Sequence, residues 1–142
     1  MDQDLIDGRE MLLIGSDCEW QTMIARELGE MGPLGKVVIV RDCESAITRL
    51  REPGRNRPRL ALLDLDMPQR SAFSFLEKVK ADPVLRVIPI VVLAGGNDHE
   101  DVAACYSLGA AGYLVKSDVT SSLAEKIRSV CGYWALSRVP TM

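Results

Sequence analysis

Leu60-Ala61-Leu62-Leu63-Asp64-Leu65-Asp66-Met67-Pro68 decides the fold of this chain. A short apolar run bounded by polar residues has the length of a strand buried on both faces of a parallel sheet. It breaks off in two carboxylates and a Met-Pro turn. Pro68 has no N–H to donate and a fixed φ, so the ladder must end near it. Asp64 thereby stands at the carboxyl end of a central strand, where open α/β sheets place their ligand sites.

Similar runs flank it on both sides. Met11–Ile14 reads as a first strand, closed by Gly15-Ser16-Asp17. Trp20, Met23, Ile24, Leu28 and Met31 then recur at helical spacing until Gly32-Pro33. Lys36–Val40 is a second strand, and Asp42 can cap a helix bearing Ala46, Ile47 and Leu50 before the Pro53-Gly54 break. After the third strand, Leu60 to Leu63, Ala72, Phe75, Leu76 and Val79 stripe a helix that stops before Asp82-Pro83. Ile90–Ala94 is the fourth strand. Val102, Cys105 and Tyr106 mark the next helix, with Gly109 as a left-handed cap. Gly112–Val115 is the fifth strand, ending at Lys116. Ser122 and Glu125 form a capping box for a last helix striped by Leu123, Ile127, Val130 and Trp134. Five βα units predict an α/β fold, a five-stranded parallel sheet with helices on both faces and right-handed crossovers.

The 142 residues make one domain, 1–142, with a core over about 11–130 and a helix extension and tail over 131–142. A net charge of -3 argues against direct nucleic-acid binding. The cluster Arg51, Arg55, Arg57 and Arg59 reads as a solvated loop between helix and strand. Cys18, Cys43, Cys105 and Cys131 form no C-x-x-C pair, and His99 is the single histidine, so a zinc or multi-histidine centre is not expected. With Asp2, Asp4 and Asp7 at the start and no long apolar run after them, nothing resembles a signal peptide, and no apolar stretch is long enough to span a membrane. A cytoplasmic protein with reduced thiols is expected.

The polar residues after the strands should share one edge: Gly15-Ser16-Asp17, Asp64-Leu65-Asp66, Ala94-Gly95-Gly96 and Lys116-Ser117. An aspartate facing a lysine, with small residues between, leaves a shallow pocket for a compact anion. The carboxylate can act as nucleophile toward a phosphoryl group while the ammonium holds the phosphate oxygens. The plain alternative is an Asp–Lys ion pair at the rim of a sheet.

In these motifs the chain resembles the receiver domain of bacterial response regulators, over essentially Met11 to Val130. Leu62-Leu63-Asp64-Leu65-Asp66-Met67-Pro68 matches that family's phospho-acceptor segment, Val91-Val92-Leu93-Ala94 its fourth strand, and Leu108-Gly109-Ala110-Ala111-Gly112-Tyr113-Leu114-Val115-Lys116 its fifth. The resemblance implies the flavodoxin-like strand order 2-1-3-4-5. It also implies that Asp64 takes a phosphoryl group from a histidine kinase and that Lys116 contacts the phosphate. A Mg²⁺ ion would be held by Asp64, the backbone carbonyl of Asp66 and an acidic pair after strand one.

Several parts of that pattern are altered. Gly15 and Ser16 fall on the acidic pair; a register shifted by one would bring in Asp17 as a single metal ligand. Weak Mg²⁺ binding, or none, is therefore expected. Ala94 stands at the switch position, where the family carries a hydroxyl, and leaves its aromatic switch partner Tyr113 without a hydroxyl to follow. Ser71-Ala72 replaces the usual Asp-Gly, and Ser117 the usual Pro.

The chain ends at Met142, 26 residues after Lys116, so no output domain is expected. The tail Tyr133-Trp134-Ala135-Leu136-Ser137-Arg138-Val139-Pro140 is similar to that of small stand-alone response regulators paired with bacterial phytochromes. That likeness implies a phytochrome-type sensor kinase as partner. Tyr133, Leu136 and Val139 suggest a homodimer built on the last two units and the tail. The leading expectation is a stand-alone, non-enzymatic receiver that signals by protein contact. The competing one is a pseudo-receiver that uses the fold without phosphorylation. A haloacid-dehalogenase-like phosphatase would need its nucleophile after strand one with a second acid two residues on, and Gly15-Ser16-Asp17 offers one acid.

Overall fold

The computed structural model describes residues 10–16, 18–29, 36–52, 58–96, 98–116 and 123–136. Each apolar run becomes a short strand: β1 (Glu10–Ile14), β2 (Lys36–Val40), β3 (Leu60–Asp64), β4 (Ile90–Ala94) and β5 (Gly112–Val115). The helices are α1 (Cys18–Gly29), α2 (Cys43–Arg51), α3 (Ser71–Ala81), α4 (His99–Ser107) and α5 (Leu123–Leu136). All strand pairs are parallel, in the order β2-β1-β3-β4-β5. The expected α/β architecture and strand order are what the chain adopts.

Side chains alternate across each strand, and the alternation divides the core in two. Leu12, Ile14, Ala61, Leu63, Ile90 and Val92 pack with Ala46 and Leu50 of α2, Phe75, Leu76 and Val79 of α3, and Cys105 of α4. Met11, Leu13, Leu60, Leu62, Val91 and Leu93 turn the other way, onto Ile24 of α1 and Ile127 of α5. Burying each such large apolar side chain contributes about 1.5–3 kcal/mol. With both faces covered, β1, β3 and β4 have no use for polar residues until they reach the edge.

Two strand boundaries differ from the expectation by one residue. β1 begins at Glu10, which pairs with Lys36 and whose Oε2 accepts a hydrogen bond from Arg49 Nη2 at 3.1 Å. β3 runs on to Asp64, opposite Leu93 of β4. Among the residues that mark α4, Cys105 is buried and Val102 half-buried, but Tyr106 is 50% exposed.

The helix ends follow local chemistry. Asp42 caps α2, its Oδ1 accepting the Ser45 N–H at 2.7 Å. Before Pro83 the chain turns extended at Asp82, whose Oδ1 accepts the N–H groups of Val84 and Leu85. Gly109 closes α4 at φ +99°, a conformation that suits glycine. A Cβ at Gly109 would stand 2.7 Å from Cγ of Lys80. The lysine passes beneath it to donate to the carbonyls of Arg86 and Ile88 at 3.0 and 2.8 Å. Burial pushes the Lys80 ammonium below its ordinary pKa.

Gly32-Pro33, Pro53-Gly54 with Arg55 and Arg57, Ser122 and the tail from Ser137 lie outside the described residues. Among the described residues no helix is long and apolar enough to cross a membrane.

Candidate functional site

Register brings the polar residues to one edge. Ile14 of β1 lies opposite both Val40 and Leu63, Asp64 opposite Leu93, and Ala94 opposite Val115. One step further along each strand stand Gly15, beside Asp64, and Lys116, whose N–H donates to the Ala94 carbonyl at 2.7 Å. β1 ends at Ile14, so Gly15 and Ser16 occupy the positions directly after the first strand. Asp17 lies outside the described residues.

Asp64 is 2% exposed. Its Oδ1 accepts the ammonium of Lys116 at 2.8 Å and the backbone N–H of Asp66 at 2.9 Å. A buried carboxylate is tolerated only when paired and hydrogen-bonded, and both conditions hold. The arrangement leaves a negative oxygen next to a fixed positive charge at the rim of a water-accessible edge. The flanking residues fix it in place: Leu65 continues the ladder by donating to the Leu93 carbonyl at 2.8 Å, and Leu65 and Met67 are buried.

Asp66 is exposed, and its side chain reaches across the edge. Its Oδ2 accepts the Gly95 N–H at 2.8 Å and lies 3.5 Å from Nζ of Lys116. Gly95 permits this approach, since a Cβ there would stand 3.1 Å from that oxygen. The next residue, Gly96, accepts the hydroxyl of Tyr113 through its carbonyl at 2.9 Å. Burial, then nearby Cys105 and the carboxylates of Asp101, Asp66 and Asp98, raise the Tyr113 phenol above its ordinary pKa. Ala94, 1% exposed, ends β4 and brings no hydroxyl to the site.

Expectation gave Asp66 a carbonyl role toward a metal; the structure adds contacts of its carboxylate with Gly95 and Lys116. An Asp-x-Asp spacing at a strand end was the available signal, but the partner, Gly95, becomes visible only with the register of β3 on β4. Gln21 was also missed. It is fully buried on α1, donates from Nε2 to the Gly15 carbonyl at 2.7 Å, and its Oε1 has no hydrogen-bond partner among the described residues. A polar residue three before Ile24 on the apolar face of that helix was the sign to read. Beyond the Met-Pro turn, Gln69 and Arg70 both adopt left-handed backbone, φ 60° and 53°. The Arg70 guanidinium stacks 4.1 Å from the Phe73 ring centre and lies 3.5 Å from Asp101 of α4.

For a divalent metal the donors are few. Mg²⁺ takes hard oxygen ligands, commonly one or two carboxylates with waters. Among the described residues no three His, Cys, Asp or Glu side chains gather as a metal site. One Asp64 oxygen already serves Lys116, the Asp66 carboxylate is turned toward Gly95, and Gly15 brings no side-chain donor. The described residues do not compose a metal centre by themselves.

This edge, a buried aspartate ending β3 against a lysine ending β5, sits within a segment that matches a known family: residues 12–128 fit the response regulator receiver domain. The chain belongs to the receiver domain family. Among relatives, this receiver domain is 28% identical to the response regulator Rcp1 of Synechocystis over 130 residues, 88% of each chain. Its structure is similar to that of the phosphorylated cyanobacterial phytochrome response regulator RcpA, with 29% identity and a TM-score of 0.84 over 94% of this chain and 99% of RcpA. The Mn²⁺-bound form of Rcp1 is similar at 27% identity and a TM-score of 0.82, again over 94% of this chain and 99% of the other. Receiver domains act in two-component signalling, and this domain carries their fold and strand order.

Proposed function

We propose that Asp64 accepts a phosphoryl group from the phosphohistidine of a histidine kinase and that the domain then signals through protein contacts. The contact that carries this reading is the 2.8 Å pair between the buried Asp64 carboxylate and Lys116 at the edge of the sheet. In the transfer, an Asp64 carboxylate oxygen attacks phosphorus as the bond from phosphorus to the imidazole nitrogen breaks. The electron pair leaves with the imidazole, which takes a proton from water. Lys116 neutralises charge on the phosphoryl oxygens, the principal service a protein offers to phosphoryl transfer. The domain catalyses nothing beyond its own modification.

Similarity to RcpA, a phytochrome response regulator, supports a phytochrome-type sensor kinase as the donor, and a receiver domain is expected in the cytoplasm. Weak Mg²⁺ binding follows from the sparse donors after β1, and Asp17 is the residue that would add a carboxylate to Asp64 and the Asp66 carbonyl. Exposed Tyr106 and Tyr133 support a homodimer, and the net charge of -3 supports signalling without direct nucleic-acid binding. Gly15 and Ala94 favour a second reading, a pseudo-receiver in which the same edge serves protein binding alone.

Acetyl phosphate, with and without Mg²⁺, separates the two. The full chain should gain one acid-stable, hydroxylamine-labile phosphate by intact mass, and Asp64→Asn should gain none. Equal labelling of both proteins overturns Asp64 as acceptor, and no labelling of either favours the pseudo-receiver.

A further inference from the structure

The Asp66 side chain, the Gly95 N–H, the Gly96 carbonyl and the Tyr113 hydroxyl form one connected line from the acceptor to β5. Asp66 Oδ2 holds the Gly95 N–H at 2.8 Å, and the Gly96 carbonyl holds the Tyr113 hydroxyl at 2.9 Å. At its other end the same Asp66 oxygen lies 3.5 Å from the ammonium that binds Asp64 at 2.8 Å. Two carboxylates thus share one lysine, and one of them also takes a backbone donor at the end of β4.

We propose that the Asp66 carboxylate is a positioning residue that stands in for the phosphoryl group in the unmodified chain. This rests on Asp64 being the acceptor. Asp66 occupies two positive groups at the edge, Lys116 and the Gly95 N–H, that an anion on Asp64 would need. A phosphoryl group brings close to two negative charges and three acceptor oxygens next to a resident carboxylate. Repulsion displaces the Asp66 side chain, which is about half exposed and has water to move into. Gly95 then donates to a phosphoryl oxygen, and the β4–α4 loop shifts with it, carrying the Gly96 carbonyl that anchors Tyr113. The loop is permissive because Gly95 and Gly96 carry no side chains, and the space where a Cβ of Gly96 would stand is open to 4 Å. With Ala94 in the place of a hydroxyl, this backbone line gives the site a connection to β5 that needs no side chain from position 94.

The experiment uses the full ¹⁵N-labelled chain with Asp66→Ala and Asp66→Asn. Without phosphodonor, Asp66→Ala should move the Gly95 and Gly96 amide resonances and the Tyr113 ring signals in the direction that acetyl phosphate moves them in the natural sequence. Asp66→Asn retains an oxygen that can accept from Gly95, so its Gly95 signal should stay near that of the natural sequence. Asp66→Ala should also accept phosphate from acetyl phosphate severalfold faster, because the Asp66 carboxylate no longer competes for Lys116 and Gly95. Superimposable Gly95 and Tyr113 signals in Asp66→Ala and the natural sequence overturn the proposal, as does a slower rate of phosphorylation in a folded Asp66→Ala. Failure of Asp64 as acceptor is read separately, from intact mass, and removes the acetyl phosphate reference while leaving the displacement of the Gly95 and Tyr113 signals in unmodified Asp66→Ala as a test of the contact itself.

Discussion

At the scale of single residues, position 94 ends β4 without bringing a hydroxyl to the edge. Ala94 is buried at the end of β4, next to the register position of Asp64. Ala94→Thr should restore a hydroxyl at the edge, and a hydrogen bond to a charged group contributes about 1.5–3 kcal/mol. The phosphorylated fraction at a fixed acetyl phosphate concentration should rise about tenfold or to saturation, read by mass. The added atoms crowd a full site, so the urea midpoint should fall by an amount worth about 1–2 kcal/mol. A second expectation concerns alkaline pH. Burial raises the thiols of Cys43 and Cys105 above 9.0 and the Tyr113 phenol above 10.0, and lowers Lys80 below 10.5. The first three keep protons in the native state that the unfolded chain gives up, so their contribution is lost as pH rises past about 9. Lys80 acts oppositely, since the unfolded chain binds its proton more tightly; its contribution is lost as pH falls through the folded value. The two thiols have the lowest unfolded values, so the loss of their contribution should lower the urea midpoint between pH 8 and pH 10. Cys43→Ala with Cys105→Ala should flatten that slope.

Among the elements, the turn between α4 and β5 is the most sharply constrained. Gly109→Ala sets a Cβ at φ +99° and 2.7 Å from Cγ of Lys80. The left-handed penalty alone is about 1–2 kcal/mol, and displacing a lysine that bridges two carbonyls adds to it. Thermal unfolding should fall by several degrees, and Lys80→Met in the same chain should recover less than half of it. That glycine was readable in the sequence, because a helical stripe followed by Gly has few other meanings. The strands were readable for a similar reason: Leu62, Val91 and Leu93 stand in apolar runs that only a doubly covered sheet can bury. What escaped reading depends on contacts between segments far apart. The Asp66–Gly95 bond joins residues 29 apart, and neither has a local signature that announces the other. Gln69 and Arg70 escaped too, since two successive left-handed non-glycine residues run against local preference and persist through tertiary support such as the Phe73 and Asp101 contacts. At the acceptor, Asp64 and Lys116 were legible from strand ends, whereas the turning of the Asp66 carboxylate away from β1 required the register of β3 on β4.

For the molecule as a whole, the exposed aromatic side chains bear on assembly. Tyr106 and Tyr133 stand 50% and 63% exposed on α4 and α5, and large aromatic residues often anchor interfaces. Sedimentation of the full chain at tens to hundreds of micromolar should show a dimer, and Tyr106→Ser with Tyr133→Ser should return a monomer of unchanged helix content. A monomer in the natural sequence, both unmodified and phosphorylated, excludes the assembly. The strand order has a different consequence. Among the described residues β5 lies at one margin of the sheet, bonded to β4, and its four residues are half-buried where β3 and β4 are wholly buried. Yet Tyr113 rides on it and Lys116 follows it directly, and the Lys116–Asp64 contact joins residues 52 apart. Marginal strands open to solvent far more often than the sheet centre, at a free-energy cost below that of global unfolding. The positive charge opposite Asp64 should therefore be withdrawn intermittently while the aspartate itself stays in place. Amide hydrogen exchange should find two populations of protection on either side of one ion pair, slow at Leu63 and fast at Leu114. The lifetime of the paired site is then set by the breathing of its weaker half.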